Sequence, residues 1–506
     1  MFRHHRMRPS KVHHNDQLPF LSRGRFSALP EVRVIKDEIE NLSLFVAVLY
    51  VIDLFGIFPF VTLPRLIVEL GFFGIPLIVS VVVLQIYTSF LLSECWTMAE
   101  ILDPSIVQKS SYPYAAITDL AFGRYARVFV TVLLNLSVFT TGIPNLVVAA
   151  QNMELVGQRM SDGAFLLSYC YWVLVVGAVL CGGVLVWIGS PKHMRGVALL
   201  SVCVVITIVI LLWICLFEAK PVGAPFEGIR RDLPSLLMIL KGYSMVAFQF
   251  DIHPMLLTLQ IDMEHKTRVY WAAFSGIIVT SSIAIFSAII ATYKFGSMIS
   301  ENLLETLPKS VLLYLMLILM ALQLCFSAAA MSSGMFLQFE NFFRVSENLS
   351  IKRIAIRSSI VALQILIAEF VPSFDVLMGV IGGTITGPLI FILPPLLYRR
   401  ICRLDRFHQR NIVEVAYGSI VPIDLNYEHM HMEPLSEALD QSVHGRWLQA
   451  VQACKRIHYN LLVSMVVLFF GVTATFCSTY LNLFRLSELF RNNSPCFGNL
   501  TNSYHI

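Results

Sequence analysis

Between residues 43 and 482 the chain returns repeatedly to apolar runs of bilayer length, most of them separated by short polar turns. A helix needs about 20 apolar residues to cross the hydrocarbon layer. Eleven segments meet that requirement: roughly 43–64, 72–95, 125–151, 166–189, 196–217, 233–263, 269–292, 311–338, 354–372, 375–398 and 457–482. Inside a bilayer the backbone must satisfy its own hydrogen bonds, and long continuous apolar runs do so as helices. The expected fold class is an all-α polytopic membrane protein with eleven transmembrane helices. Composition agrees: 14% of residues are charged, against about 25% in soluble domains.

The runs divide the chain into a basic cytoplasmic tail (1–42), a ten-helix core (43–398), a mixed-charge cytoplasmic loop (399–456), an eleventh span (457–482) and an extracytoplasmic tail (483–506). A short amphipathic helix is expected around Leu435–Val451. With the N-terminus placed inside, cytoplasmic segments hold roughly three times as many Lys and Arg as the opposite side. No secretory signal precedes the first span, which is expected to act as its own targeting signal. Asn492-Asn493-Ser494 and Asn499-Leu500-Thr501 then fall outside as glycosylation acceptors at Asn492 and Asn499. The membrane itself, plasma membrane or endolysosomal or vesicle membrane, is left open.

The lipid bilayer is the partner such a chain requires. A net charge of +4 does not suggest nucleic acid, and no protein partner is indicated. No metal box or nucleophile constellation points to an enzyme, and no cofactor or bound metal is expected. The ten cysteines show no CxxC pair; Cys496 is positioned to pair with Cys170 or Cys215.

Two spans are interrupted. Span six carries Phe250, Asp251, Ile252, His253 and Pro254 in mid-membrane, and span one carries Asp53, Phe55, Gly56, Ile57, Phe58 and Pro59. Proline removes a backbone donor and clashes with the preceding turn. Ionisable residues at this depth survive only where they face protein or water. Two spans broken at corresponding positions are the best sequence pointer to a transporter's solute site. A half-helix starting near Pro254 presents free N–H groups and a positive dipole end. These suit a substrate carboxylate, or the Asp251 side chain; unwound carbonyls in span one suit an ammonium group. Phe55, Gly56, Ile57, Phe58, Phe250, Asp251, Ile252 and His253 are the expected substrate contacts. Asp53, Asp251 and His253 are the candidates for ion coupling, by H+ or Na+.

Span three offers Asn135, Ser137, Thr140, Thr141 and Asn145, from which Asn135 and Thr140 are taken as further substrate contacts. Span eight offers Ser327, among small residues, as a cation ligand. Lys241 is expected near the outer end of span six, its side chain reaching toward the interface.

Thr258-Leu259-Gln260-Ile261-Asp262-Met263 resembles the Pro-Thr-Ile-Gln-x-Asp-Met signature of the amino acid/auxin permease family, and the match runs without a gap back to Phe248 and Phe250. Phe339-Glu340, Arg357, the Ala368–Phe374 stretch, the Gly-rich run Gly379–Pro395, and Leu63-Pro64 with Gly71 resemble further family motifs in the same order. The resemblance covers roughly residues 43–482. It implies a LeuT-like inverted five-plus-five repeat plus one helix, and amino acid transport coupled to protons or sodium by alternating access. The chain departs from the family where Ile57-Phe58-Pro59 replaces a small Gly-x-Gly run, and where Leu257, Asp251, Ile252 and His253 replace the family's proline and small residues. The added bulk is expected to shrink or reshape the pocket. The functional expectation is a secondary transporter of amino acids or small zwitterions; the second reading is a transporter-like sensor signalling through its cytoplasmic segments.

Overall fold

The computed structural model describes residues 42–488 and Arg491, apart from 110–111, 163–166, 183–185, 188–190, 223–225, 346–349, 372 and 419–460. The basic tail, the expected helix around Leu435–Val451, Cys496 and the acceptor sites Asn492 and Asn499 lie outside the described residues.

Among the described residues the secondary structure is helical, with one isolated bridge between Leu42 and Met263. Seven helical stretches are long and apolar enough to cross a bilayer, and two shorter apolar helices, Leu44–Phe55 and Tyr169–Cys181, accompany them.

The first apolar segment is two helices. α1 (Leu44–Phe55) is capped by Ser43, whose hydroxyl accepts from Val46 N, and it ends at Gly56 with φ 56° and ψ −136°. That backbone region is strained for any residue with a Cβ. α2 (Phe58–Leu70) starts with Pro59 in its first turn, where the missing N–H has no helical partner to lose. α3 (Gly74–Leu102) follows. The short α4 (Pro113–Phe122) leads into α5 (Arg124–Met160), then α6 (Tyr169–Cys181) and α7 (Pro191–Glu218).

The sixth segment breaks in the same manner. α8 (Leu236–Gln249) is capped by Ser235 and stops at Phe250. α9 (His253–Asp262) restarts after Ile252, again with proline, Pro254, in its first turn. In both segments a residue that cannot continue a helix can still begin one. Two backbone bonds, Leu42 N to Asp262 O at 2.9 Å and Glu264 N to Leu42 O at 3.1 Å, clip the start of α1 to the end of α9.

α10 (Val269–Phe295) packs on α1 and α2, and α11 (Val311–Phe342) packs on α5 and α7. α12 (Ile351–Phe370) and α13 (Phe374–Ile381) follow. Two π-helical turns, Gly382–Thr386 and Pro388–Ile392, lead into α14 (Leu393–Gly418). A Cβ at Gly382 would overlap the Ser244 carbonyl, so glycine is what lets this wound-out stretch lie against α8. The last helix, α15 (Leu461–Glu488), is stitched to it by Asn482, whose Nδ2 donates to Gly379 O at 2.8 Å and to Ser244 Oγ at 3.0 Å.

Two sequence readings change here, and two of the resemblance residues gain a contact. Lys241 does not reach toward an interface: its ammonium lies 3.0 Å from Glu69 and 2.5 Å from Asp375, in a largely buried triad joining α2, α8 and α13. Desolvating an ammonium is costly, so two carboxylates contributed by other helices hold it better than a thin apolar sleeve would. Glu340 and Arg357, two of the resemblance residues, form a buried pair at 2.5 Å that ties α11 to α12, and Arg357 Nη1 also donates to Val186 O at 2.7 Å. Cys170 is disulfide-bonded, whereas Cys215 is a free thiol, which removes it as a partner.

Candidate functional site

The two breaks meet. The Phe55 ring, at the end of α1, touches the Phe250 ring, in the break after α8, edge to face with centroids 5.4 Å apart. Beside them lies a buried chamber bounded by Leu54, Phe55, Gly56, Ile57 and Phe58 on one side and Phe248, Gln249, Asp251, Pro254 and Met255 on the other. α5 adds Ser137, Val138, Thr141 and Asn145, and α11 adds Gln323, Leu324, Ser327 and Met331. The open volume is about 40 Å³. That is room for a few waters, not for an amino acid.

Asp251 projects from the break into this chamber, and its Oδ1 accepts from His253 N at 3.2 Å. The carboxylate thereby caps α9 itself, as the sequence suggests. His253 turns away. Its ring is fully buried against α3, with Nε2 3.0 Å from Thr88 Oγ1 and 3.4 Å from Ser89 Oγ. The Thr88 hydroxyl has the carbonyls of Leu84 and Gln85 as acceptors, at 3.0 and 3.2 Å. Those carbonyls compete with the ring for the hydroxyl's single proton. Nδ1 is buried without a hydrogen-bond partner, 3.9 Å from Asp251 Oδ1.

Two glutamines complete the polar lining. Gln249 Nε2 donates to Thr62 Oγ1 at 2.6 Å, while Thr62 donates to Phe58 O at 2.8 Å. This chain of donors fixes the amide orientation and leaves Gln249 Oε1 without a partner. Gln323 Nε2 faces Ser201 Oγ at 3.4 Å, and Ser201 is hydrogen-bonded to the Asp53 carboxyl. Gln323 Oε1 and Asp53 Oδ1 are likewise buried and unpartnered. Asp53 therefore sits behind the break, between α1, α7 and α11, linked through Ser201 to the chamber-lining Gln323.

One aromatic layer closes the chamber toward the Lys241 triad. Phe58 lines the chamber and stacks on Phe374 at 5.9 Å and 23°. Phe374 in turn lines a second, open cavity of about 520 Å³ with Arg65, Gln151, Glu301, Asn302 and Glu305. Two stacked rings thus stand between vestibule and chamber.

Of the expected substrate contacts, the structure brings Phe55, Gly56, Ile57, Phe58 and Asp251 to the chamber, and Ser327 with them. Phe250 packs behind Phe55, Ile252 is fully buried as the N-cap of α9, and His253 faces α3. Asn135 and Thr140 are not brought in. Asn135 bonds Gln338 and Tyr112, each at 3.0 Å, and Thr140 returns its hydroxyl to Leu136 O and Ser137 O. The α5 face that does line the chamber is the i, i+4, i+8 stripe Ser137, Thr141 and Asn145. Gln249 and Gln323 went unnoticed in the sequence; an uncharged amide in an otherwise apolar span was the signal available.

Bilayer-length helices surrounding two opposed helix breaks and a buried polar chamber define an integral membrane protein of the carrier type. The chain belongs to the transmembrane amino acid transporter family, whose model matches residues 46–420. It is similar to Amino acid transporter AVT1J of Arabidopsis thaliana, at 21% identity over 349 residues, covering 67% of this chain and 78% of that protein.

Proposed function

We propose that the protein is a secondary active transporter of amino acids or related small zwitterions, working by alternating access. The observation that carries this reading is the meeting of the two helix breaks, Phe55 against Phe250, beside a chamber lined from both. Broken helices opposed at mid-membrane are the usual construction of a transporter's solute site. The family supplies the substrate class. Under this reading the core is a LeuT-like ten-helix repeat over 43–398, with α15 as the eleventh span. The N-terminus is cytoplasmic, so the Lys241 triad and the vestibule face outward.

The stacked Phe58 and Phe374 rings, backed by Lys241 with Glu69 and Asp375, then form the closed outer gate. Opening it requires α2, α8 and α13 to part. Coupling by protons is favoured over sodium by one detail: the free Nδ1 of His253 faces Asp251 at 3.9 Å, so a proton taken there is held by the carboxylate that lines the chamber. Asp53, reached through Ser201 and Gln323, is the second candidate.

Uptake of labelled amino acids into proteoliposomes holding the full chain, with and without a pH gradient and with and without sodium, tests the proposal. Gradient-driven accumulation of at least one amino acid is expected. Binding without flux under every gradient would overturn transport.

A further inference from the structure

The half-helix α9 should be the place where a substrate carboxylate docks, yet its donors are taken. His253 N is bound to Asp251 Oδ1 at 3.2 Å, residue 254 is a proline with no N–H, and Met255 N and Leu256 N both close on Ile252 O, at 3.0 and 2.9 Å. The positive end of the helix is therefore satisfied by a carboxylate that the chain itself provides.

The rest of the lining is rich in acceptors. Asp251 is the one charged side chain among the lining residues, and no Lys, Arg or His joins it. Gln249 Oε1 and Gln323 Oε1, on side chains 3% and 0% exposed, have no partner, because each amide nitrogen is already committed to Thr62 or Ser201. Thr141 spends its proton on Ser137 O at 2.8 Å. Against a ligand carboxylate stand the Asp251 carboxyl and two orphan amide oxygens.

We propose that the chamber selects small solutes of net positive charge, its Asp251 carboxylate and the Gln249 and Gln323 oxygens receiving an ammonium group. This rests on the transport reading above and narrows its substrate class. The shared chemistry is a primary ammonium on a short aliphatic chain, whether from a basic amino acid or from an amine without a carboxylate. The two orphan oxygens offset their desolvation only when a donor group occupies them, and an ammonium beside Asp251 stabilises its ionised form. Leu54, Ile57 and Met255 provide the apolar wall for the aliphatic stem.

Competition for uptake and thermal-shift binding by the full chain in proteoliposomes, with lysine, its neutral isostere norleucine, and cadaverine, which is lysine without its carboxylate, tests this. Lysine or cadaverine should compete at least tenfold better than norleucine. Cadaverine matching or exceeding lysine identifies an amine site; lysine ahead of cadaverine identifies a basic amino acid site, and both support the proposal. Asp251→Asn, or Asp251→Ser should the first fold poorly, should shrink the gap to within threefold. Norleucine equal to both in the wild type, with flux intact, overturns the charge assignment and leaves the transport reading standing. Neither binding nor flux of any amino acid or amine overturns both.

Discussion

Lys241 and Asp375 lie 2.5 Å apart, joining α8 to α13 above the stacked rings that close the chamber, and Glu69 of α2 completes the contact at 3.0 Å. One half-helix of each broken segment thus meets the helix that begins span ten, α8 directly and α2 through Lys241. Removing one partner of a buried pair leaves an uncompensated charge, at a cost of about 3 kcal/mol. Lys241→Met should therefore lower the thermal unfolding temperature of the purified protein clearly. Neutralising all three residues together, with Glu69→Gln and Asp375→Asn added, should recover most of that loss. A triple variant no more stable than the single one would show that the triad is not a unit.

His253 is the residue whose change should separate coupling from transport. His253→Gln can keep a polar partner for Thr88 and Ser89 but loses the titratable ring whose Nδ1 faces Asp251. Uptake driven by a pH gradient should fall by at least tenfold, while exchange of substrate across the membrane without a gradient persists. Equal loss of both would make His253 a structural residue only.

Phe58 lines the chamber on the side of the open cavity. It stacks on Phe374 and packs against Phe248 at 6.0 Å. Phe58→Ala should cost about 3 kcal/mol of stability and enlarge the chamber. In competition assays, bulkier solutes should gain relative to small ones. An unchanged rank order would place the size limit elsewhere.

Gly56 holds φ 56° with ψ −136° at the break in span one. Gly56→Ala forces a Cβ into that conformation, for about 1–3 kcal/mol of strain, and brings the new methyl to 3.4 Å from Gln323 Nε2. Lower stability and slower uptake are expected, readable by unfolding temperature and initial rate. Wild-type behaviour in both would mean the break relaxes freely.

Hydropathy placed the apolar segments because the penalty for a polar backbone or charge in hydrocarbon is paid residue by residue, whatever the neighbours. The breaks at Gly56–Pro59 and Phe250–Pro254 were equally legible: proline's missing N–H and glycine's positive φ act within a turn or two of chain. What the amino-acid order left undecided was how each helix is turned about its axis. A membrane helix is apolar on nearly every side, so its own pattern does not say which polar residue faces a chamber. Only packing against distant segments settled that Ser137, Thr141 and Asn145 look inward while Asn135 and Thr140 do not. The same long-range contacts turned His253 toward α3, and gave Lys241 two carboxylates from other helices in place of an interface.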